Sequence, residues 1–154
     1  MNGIPVIALD FDGVLRPISE WVNDPLHIRV TFRRGEYPDV LHRQPEWNEN
    51  GEYHTIITVS RRAVEWVRSL LARGIDVQWS TTWQRWANVY FGEALGFTLP
   101  VAVDTERSTT LRSSPGWKLG QLARLFPDRP LLWLDDNPPF EDDQGLFSRK
   151  DFRF

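Results

Sequence analysis

The most constraining stretch of this chain is Val6-Ile7-Ala8-Leu9-Asp10-Phe11-Asp12-Gly13-Val14. Pro5 precedes four apolar residues, and residues 4–10 read as a short buried strand. The strand runs into two acids one residue apart, followed by a glycine. If extended geometry persists, positions i and i+2 face one way. Both carboxylates then lie together at the strand's carboxyl end, where open α/β sheets bind their ligands. Adjacent carboxylates resist joint ionisation unless a cation or proton joins them, so the spacing points to a site. A plain acidic turn and an incomplete calcium loop are the bland alternatives. The calcium loop needs further oxygen ligands and a later glutamate, whereas Val14, Leu15 and Pro17 follow here.

The rest of the chain supplies strands and helices in alternation. Residues 16–59 are irregular, rich in Pro, Asn, Gly and mixed charge. Within them His27–Phe32 alternates polar and apolar, and Tyr53–Val59 is β-branched, so the segment reads as an insert carrying a β-hairpin or flap. Ser60 caps an expected helix over about 61–73, with Ala63, Val64, Val67, Leu70 and Leu71 on one face and Gly74 ending it. A strand over 75–79 leads into Ser80-Thr81-Thr82-Trp83, and a helix over about 84–95 stops at Gly96. Val101–Val103 reads as a short third strand. A polar loop over 104–116 leads to a helix over about 117–126, and Leu131–Leu134 is a buried strand ending in Asp135-Asp136-Asn137. Residues 149–154 read as a last short strand. This order predicts a mostly parallel sheet with helices on both faces, in a single domain over 1–154 with the flap at 16–59.

A chain of 154 residues suffices for one core, and with 13% aromatic residues it has the means to fill one. No cysteine is present, which excludes disulfides, zinc–thiolate centres and cysteine nucleophiles. The net charge of −3 neither demands nor excludes a nucleic-acid partner. No stretch has the length and apolarity of a membrane span, and the start lacks a signal-peptide pattern, so a cytoplasmic protein without a membrane partner is expected.

Asp10, Asp12, Ser80, Thr81, Thr82, Lys118, Asp135 and Asp136 together suit phosphoryl transfer. A carboxylate can attack phosphorus, a second can move the proton, and a lysine can offset phosphate charge. Hydroxyls and backbone N–H groups can hold the phosphate, and carboxylate oxygens suit magnesium.

In these residues the chain resembles the phosphatases of the haloacid dehalogenase (HAD) superfamily. Asp10-Phe11-Asp12-Gly13-Val14 resembles the first motif of that family, Trp79-Ser80-Thr81 the second, Lys118 the third and Leu134-Asp135-Asp136 the fourth. The resemblance implies a Rossmann-like fold with Asp10 as nucleophile, Asp12 as general acid/base and Lys118 in contact with Asp10 and phosphate. It places phosphate on Thr81, with Ser80 one residue off in register as the other candidate and Thr82 beside them. It places magnesium on the Asp10 carboxylate, the Asp12 main-chain carbonyl and an acid at 135–136, Asp136 as direct ligand and Asp135 in support. An acid at position 12 favours phosphate-ester hydrolysis over dehalogenation or phosphonate cleavage.

Substrate choice is less legible. The insert is short for a cap domain, which implies an open site. Arg16, Arg29, Arg33, Arg34 and Arg43 are read either as contacts to further phosphates or as a solvated mixed-charge flap. Trp83, Trp86 and Trp117 either stack a base, wall the pocket or pack the core. The Trp79–Trp83 run with Trp86-Ala87-Asn88 is similar to a small bacterial HAD group related to the phosphatase domains of RNA-repair proteins, which implies a nucleotide or nucleic-acid 3′-phosphate. Protein and metabolite phosphatases, and a non-catalytic module on the same fold, are the alternatives. Asp142 and Asp143 read as solvated loop.

Overall fold

A computed structural model describes residues 3–18, 22–36, 45–104 and 115–136. The elements run β1 (Val6–Leu9), β2 (Pro25–Arg33), β3 (Glu52–Ser60), α1 (Arg61–Ala72), β4 (Asp76–Trp79), α2 (Trp86–Leu95), α3 (Pro115–Leu125) and β5 (Leu131–Leu134). The architecture is mixed α/β: β1 lies between β4 and β5 in a three-stranded sheet, paired in parallel with both. All four residues of β1 are buried, as expected for a central parallel strand covered on both sides.

Alternation along β1 divides the core. Ile7 and Leu9 join one apolar cluster with Val64 and Val67 of α1 and Phe91 and Leu95 of α2. Ala8 joins a second with Trp117 and Leu122 of α3. Successive strand residues face opposite sides, so α3 packs on the sheet face opposite α1 and α2. The same parity reappears in β5, where Trp133, level with Ala8, packs in the second cluster and Leu134, level with Leu9, in the first.

The insert holds a nine-residue antiparallel ladder, β2 with β3, longer than the two expected strands. Its Ile28, Val30, Phe32, Ile57 and Val59 enter the same cluster as α1 and α2. Helix starts and stops follow local chemistry. The Ser60 hydroxyl accepts the Ala63 N–H, and the Asp24 carboxylate accepts that of Arg62, which caps α1. Gly74 and Gly96, both at positive φ, follow α1 and α2.

Several expectations shift. The third strand at 101–103 reduces to one bridge, Trp79 to Val101, held by the Ala102 N–H on the Trp79 carbonyl; the adjacent Ala102 and Val103 both enter the α3 cluster, where an extended strand would turn them to opposite faces. Helix α2 begins at Trp86 rather than 84, because Gln84 takes a left-handed φ of 53°. Helix α3 begins two residues early, at Pro115, a residue suited to a first turn. Arg43, Asp142, Asp143 and the expected strand at 149–154 lie outside the described residues. Among the described residues no helix is long and apolar enough to cross a membrane.

Candidate active site

Leu9 pairs with both Trp79 and Leu134, so Asp10, Ser80 and Asp135 are each the first residue beyond their strand, side by side. The Asp10 N–H donates to the Leu134 carbonyl at 2.9 Å, and the Ser80 N–H to that of Leu9 at 2.8 Å, which carries the register one step past the strands. Strand parity puts all three on the face of α3. That helix delivers Lys118, whose Nζ lies 2.5 Å from Asp10 Oδ2 and 2.6 Å from Asp135 Oδ2. Lys118 is therefore a buried cation joining two buried acids, not a surface lysine.

The other Asp10 oxygen, Oδ1, accepts the Phe11 N–H at 2.7 Å. Burial pushes the Asp10 carboxyl up to about 6; Lys118 and the Phe11 N–H oppose that rise, and the Asp135 charge adds to it. Burial pulls Lys118 down, but Asp10 and Asp135 more than offset it and hold the ammonium above its ordinary range. Asp10, Asp135 and Asp136 offer carboxylate oxygens within 4.8 Å of one another. Asp136 lies against Gly13, whose φ of 78° and missing Cβ allow the approach: a Cβ there would overlap the Asp136 carboxyl.

The expected convergence of Asp10 and Asp12 needs correction. Extended geometry ends at Leu9, Phe11 turns its ring into the core to stack on Phe91, and the chain folds back so that Gly13 N–H reaches the Arg16 carbonyl. The acidic cluster is completed by Asp135 and Asp136 rather than by the Asp12 carboxylate. Asp12 Oδ2 instead accepts the Trp83 indole N–H at 2.8 Å, and Oδ1 has a long contact to Arg16 at 3.4 Å. The charge that relieves Asp10 in this structure is an ammonium from α3.

Ser80 and Thr81 are both fully buried, and Thr82 is half-buried. Thr81 Oγ1 accepts the Trp83 N–H at 3.3 Å, whereas the Ser80 hydroxyl has no hydrogen-bond partner. A buried hydroxyl in that state costs about 1–3 kcal/mol, and Trp117 and Trp133 also each have a buried polar atom without a partner among the described residues. Of the tryptophans, Trp117 fills the α3 core and Trp83 packs between Phe32 and Phe91, so neither ring is open to stack a base. Trp86 is half-buried against Tyr90 and Arg85.

Two features escaped the sequence reading. The Trp83–Asp12 bond joins residues 71 positions apart, and no local pattern announces it. The only sequence signal for the Gly13–Asp136 approach is the glycine within the first motif, which any tight turn would also explain. No family model, curated protein or solved structure matches this chain.

Proposed function

We propose that this protein is a magnesium-dependent phosphoester hydrolase of the HAD type on a Rossmann-like fold. The observation that carries the reading is Lys118, buried between Asp10 and Asp135 at the carboxyl ends of parallel strands. Buried ionic clusters at strand ends are costly to maintain and serve reactions in which charge must be held in place.

Asp10 is the nucleophile. Its carboxylate oxygen attacks phosphorus, the bond from phosphorus to the leaving oxygen breaks, and the electron pair departs on that oxygen, which takes a proton from the Asp12 carboxyl. Water then attacks the phosphorus of the aspartyl-phosphate, Asp12 accepts the water proton, and phosphate leaves with Asp10 restored. Lys118 holds the Asp10 carboxylate oriented and offsets charge on the phosphoryl oxygens. Thr81 and Ser80 supply hydroxyls at the end of β4, and Thr82 borders them.

The close carboxylates of Asp10, Asp135 and Asp136 suit a hard cation such as magnesium, with the Asp12 main-chain carbonyl as a further oxygen. Magnesium bound there would supply positive charge against the phosphoryl oxygens. The substrate is a phosphorylated nucleotide or nucleic-acid 3′ end, a reading supported by the resemblance and by the exposed Arg29, Arg33 and Arg34 of the hairpin.

The test is a panel of nucleotides, 3′-phosphorylated oligonucleotides, sugar phosphates and phosphopeptides, assayed with magnesium and with chelator. Metal-dependent phosphate release that Asp10→Asn abolishes is expected. Failure to turn over any phosphoester would remove the enzymatic reading and leave a binding module. Preference for phosphopeptides or sugar phosphates would replace the nucleic-acid assignment alone.

A further inference from the structure

We propose that Trp83 is a positioning residue for Asp12, and that the β2–β3 hairpin acts on the chemistry through it. The proposal rests on the phosphatase reading above and deepens it.

A carboxyl that must hand a proton to a leaving oxygen and later take one from water needs a fixed orientation. The Asp12 side chain is 46% exposed and follows the end of β1, so its own backbone leaves it room to turn. One firm contact fixes it: the indole N–H of Trp83 to Oδ2 at 2.8 Å. Oδ1, with only a long contact to Arg16, is thereby left to carry the proton.

The indole is held in turn by two rings, and the backbone that carries it by one hydrogen bond. The Phe32 ring lies parallel to it, 5.5 Å between centroids and 13° between planes, and Phe91 meets it edge to face at 5.1 Å. Its own backbone N–H is taken by Thr81 Oγ1. Phe32 belongs to β2 and faces the core. The hairpin therefore reaches Asp12 through one ring contact and one hydrogen bond, and holds the acid/base from behind. A buried indole N–H gains by finding an acceptor, although those of Trp117 and Trp133 have none among the described residues, so the rival explanation is that Asp12 merely satisfies Trp83. The two differ in which reactions suffer when the N–H is removed.

Trp83→Phe retains an aromatic ring for Phe32 and Phe91 and deletes the donor. The readout is kcat/KM, which covers only the steps up to departure of the leaving group, for two esters in the presence of magnesium. One is an alkyl phosphate, whose leaving oxygen must be protonated; the other is a dinitrophenyl phosphate, whose leaving oxygen departs without help. The expected result is a rise in the aryl-to-alkyl ratio of kcat/KM by about tenfold or more, part of the roughly 10²–10⁴ that a placed general acid contributes. Phe32→Leu should raise the same ratio by less. Asp12→Asn should raise it by more, and adding Trp83→Phe to Asp12→Asn should raise it no further, because one lost function cannot be lost twice.

A turnover-free measurement accompanies these: the Trp83 indole N–H resonance, assigned by its absence in Trp83→Phe, should move in Asp12→Ala. A resonance that stays put, or a Trp83→Phe enzyme that loses both esters in equal proportion, overturns the positioning role while leaving the phosphatase reading intact. A wild-type protein inactive on both esters with magnesium overturns that reading and this inference together.

Discussion

Replacing Lys118 with Met tests the centre of the site. The substitution keeps the length of the side chain and removes its charge, leaving Asp10 and Asp135, whose side chains are 8% and 3% exposed, facing each other without their shared ammonium. Removing one partner of a buried pair costs about 3–5 kcal/mol. Asp10 has an escape, because its carboxyl already sits at about 6 and rises further once Lys118 is gone. The variant then folds with Asp10 protonated where the unfolded chain is ionised. With one more proton bound in the folded state, its stability falls by ~1.4 kcal/mol per pH unit, whereas the wild type is flat in this group above about 6. Lys118, held above its ordinary range, stays charged throughout and adds no slope to the wild type. The expected loss in chelator is therefore about 3 kcal/mol at pH 6 and about 4–5 kcal/mol at pH 7, or roughly 8–20 °C in Tm at pH 7 for a chain of this size. Urea unfolding of both proteins at half-unit steps from pH 6 to 8 measures it. A loss below about 1 kcal/mol, or one independent of pH, would refute the idea that a buried ammonium holds this site together.

In chelator the wild-type protein should lose roughly 3 kcal/mol of stability as pH rises from about 4 to about 6, because Asp10 titrates at about 6 folded against 3.8 in its ordinary range; urea midpoints across that window should flatten in Asp10→Asn. Ser80→Ala removes a buried hydroxyl that lacks a partner, so Tm should hold or rise by the equivalent of about 1 kcal/mol; a clear fall in Tm contradicts this, and activity measured alongside decides whether phosphate uses Ser80 or Thr81. Gly13→Ala and Gly35→Ala both place a side chain at positive φ, but only Gly13 meets Asp136. Gly35→Ala should lose about 1 kcal/mol from the positive φ alone and Gly13→Ala more, since Asp136 must also move, and calorimetric titration with magnesium should weaken for Gly13→Ala alone; equal affinities would remove Asp136 from the metal site.

What the sequence made legible was carried by parity and punctuation. The apolar runs at Val6–Leu9 and Leu131–Leu134, the caps at Ser60 and Gly96, and the acids and hydroxyls just past the strands all depend on neighbours in sequence, and the structure places them as read. Lys118 is legible as a residue at the opening of a helix, which is also local, and the structure brings it to Asp10 and Asp135. The path of Asp12 was not legible: whether a strand continues past Leu9 depends on Phe11 finding Phe91 in the core, a contact across 80 residues of chain. The weak pairing at 101–103 failed for a similar reason. Three apolar residues suit a strand, but packing against α3 took Ala102 and Val103. Trp83 was noticed as a ring beside a motif, and its N–H, the part that reaches Asp12, has no sequence signal at all.

The central position of β1 has a consequence for how such a chain is made. Val6 to Leu9 leave the ribosome before both of their hydrogen-bonding neighbours, β4 and β5, the latter at Leu131–Leu134. The β2–β3 ladder, by contrast, joins segments that are close in sequence and can close while synthesis continues. At about 5–20 residues per second, β1 waits several seconds for its second partner, with the ladder edge that faces β5 unsatisfied after β4 has been made. Asp10 is thus made well before the strand that completes its surroundings, and a nascent chain cut before residue 131 should be held by chaperones through the very strand that carries it.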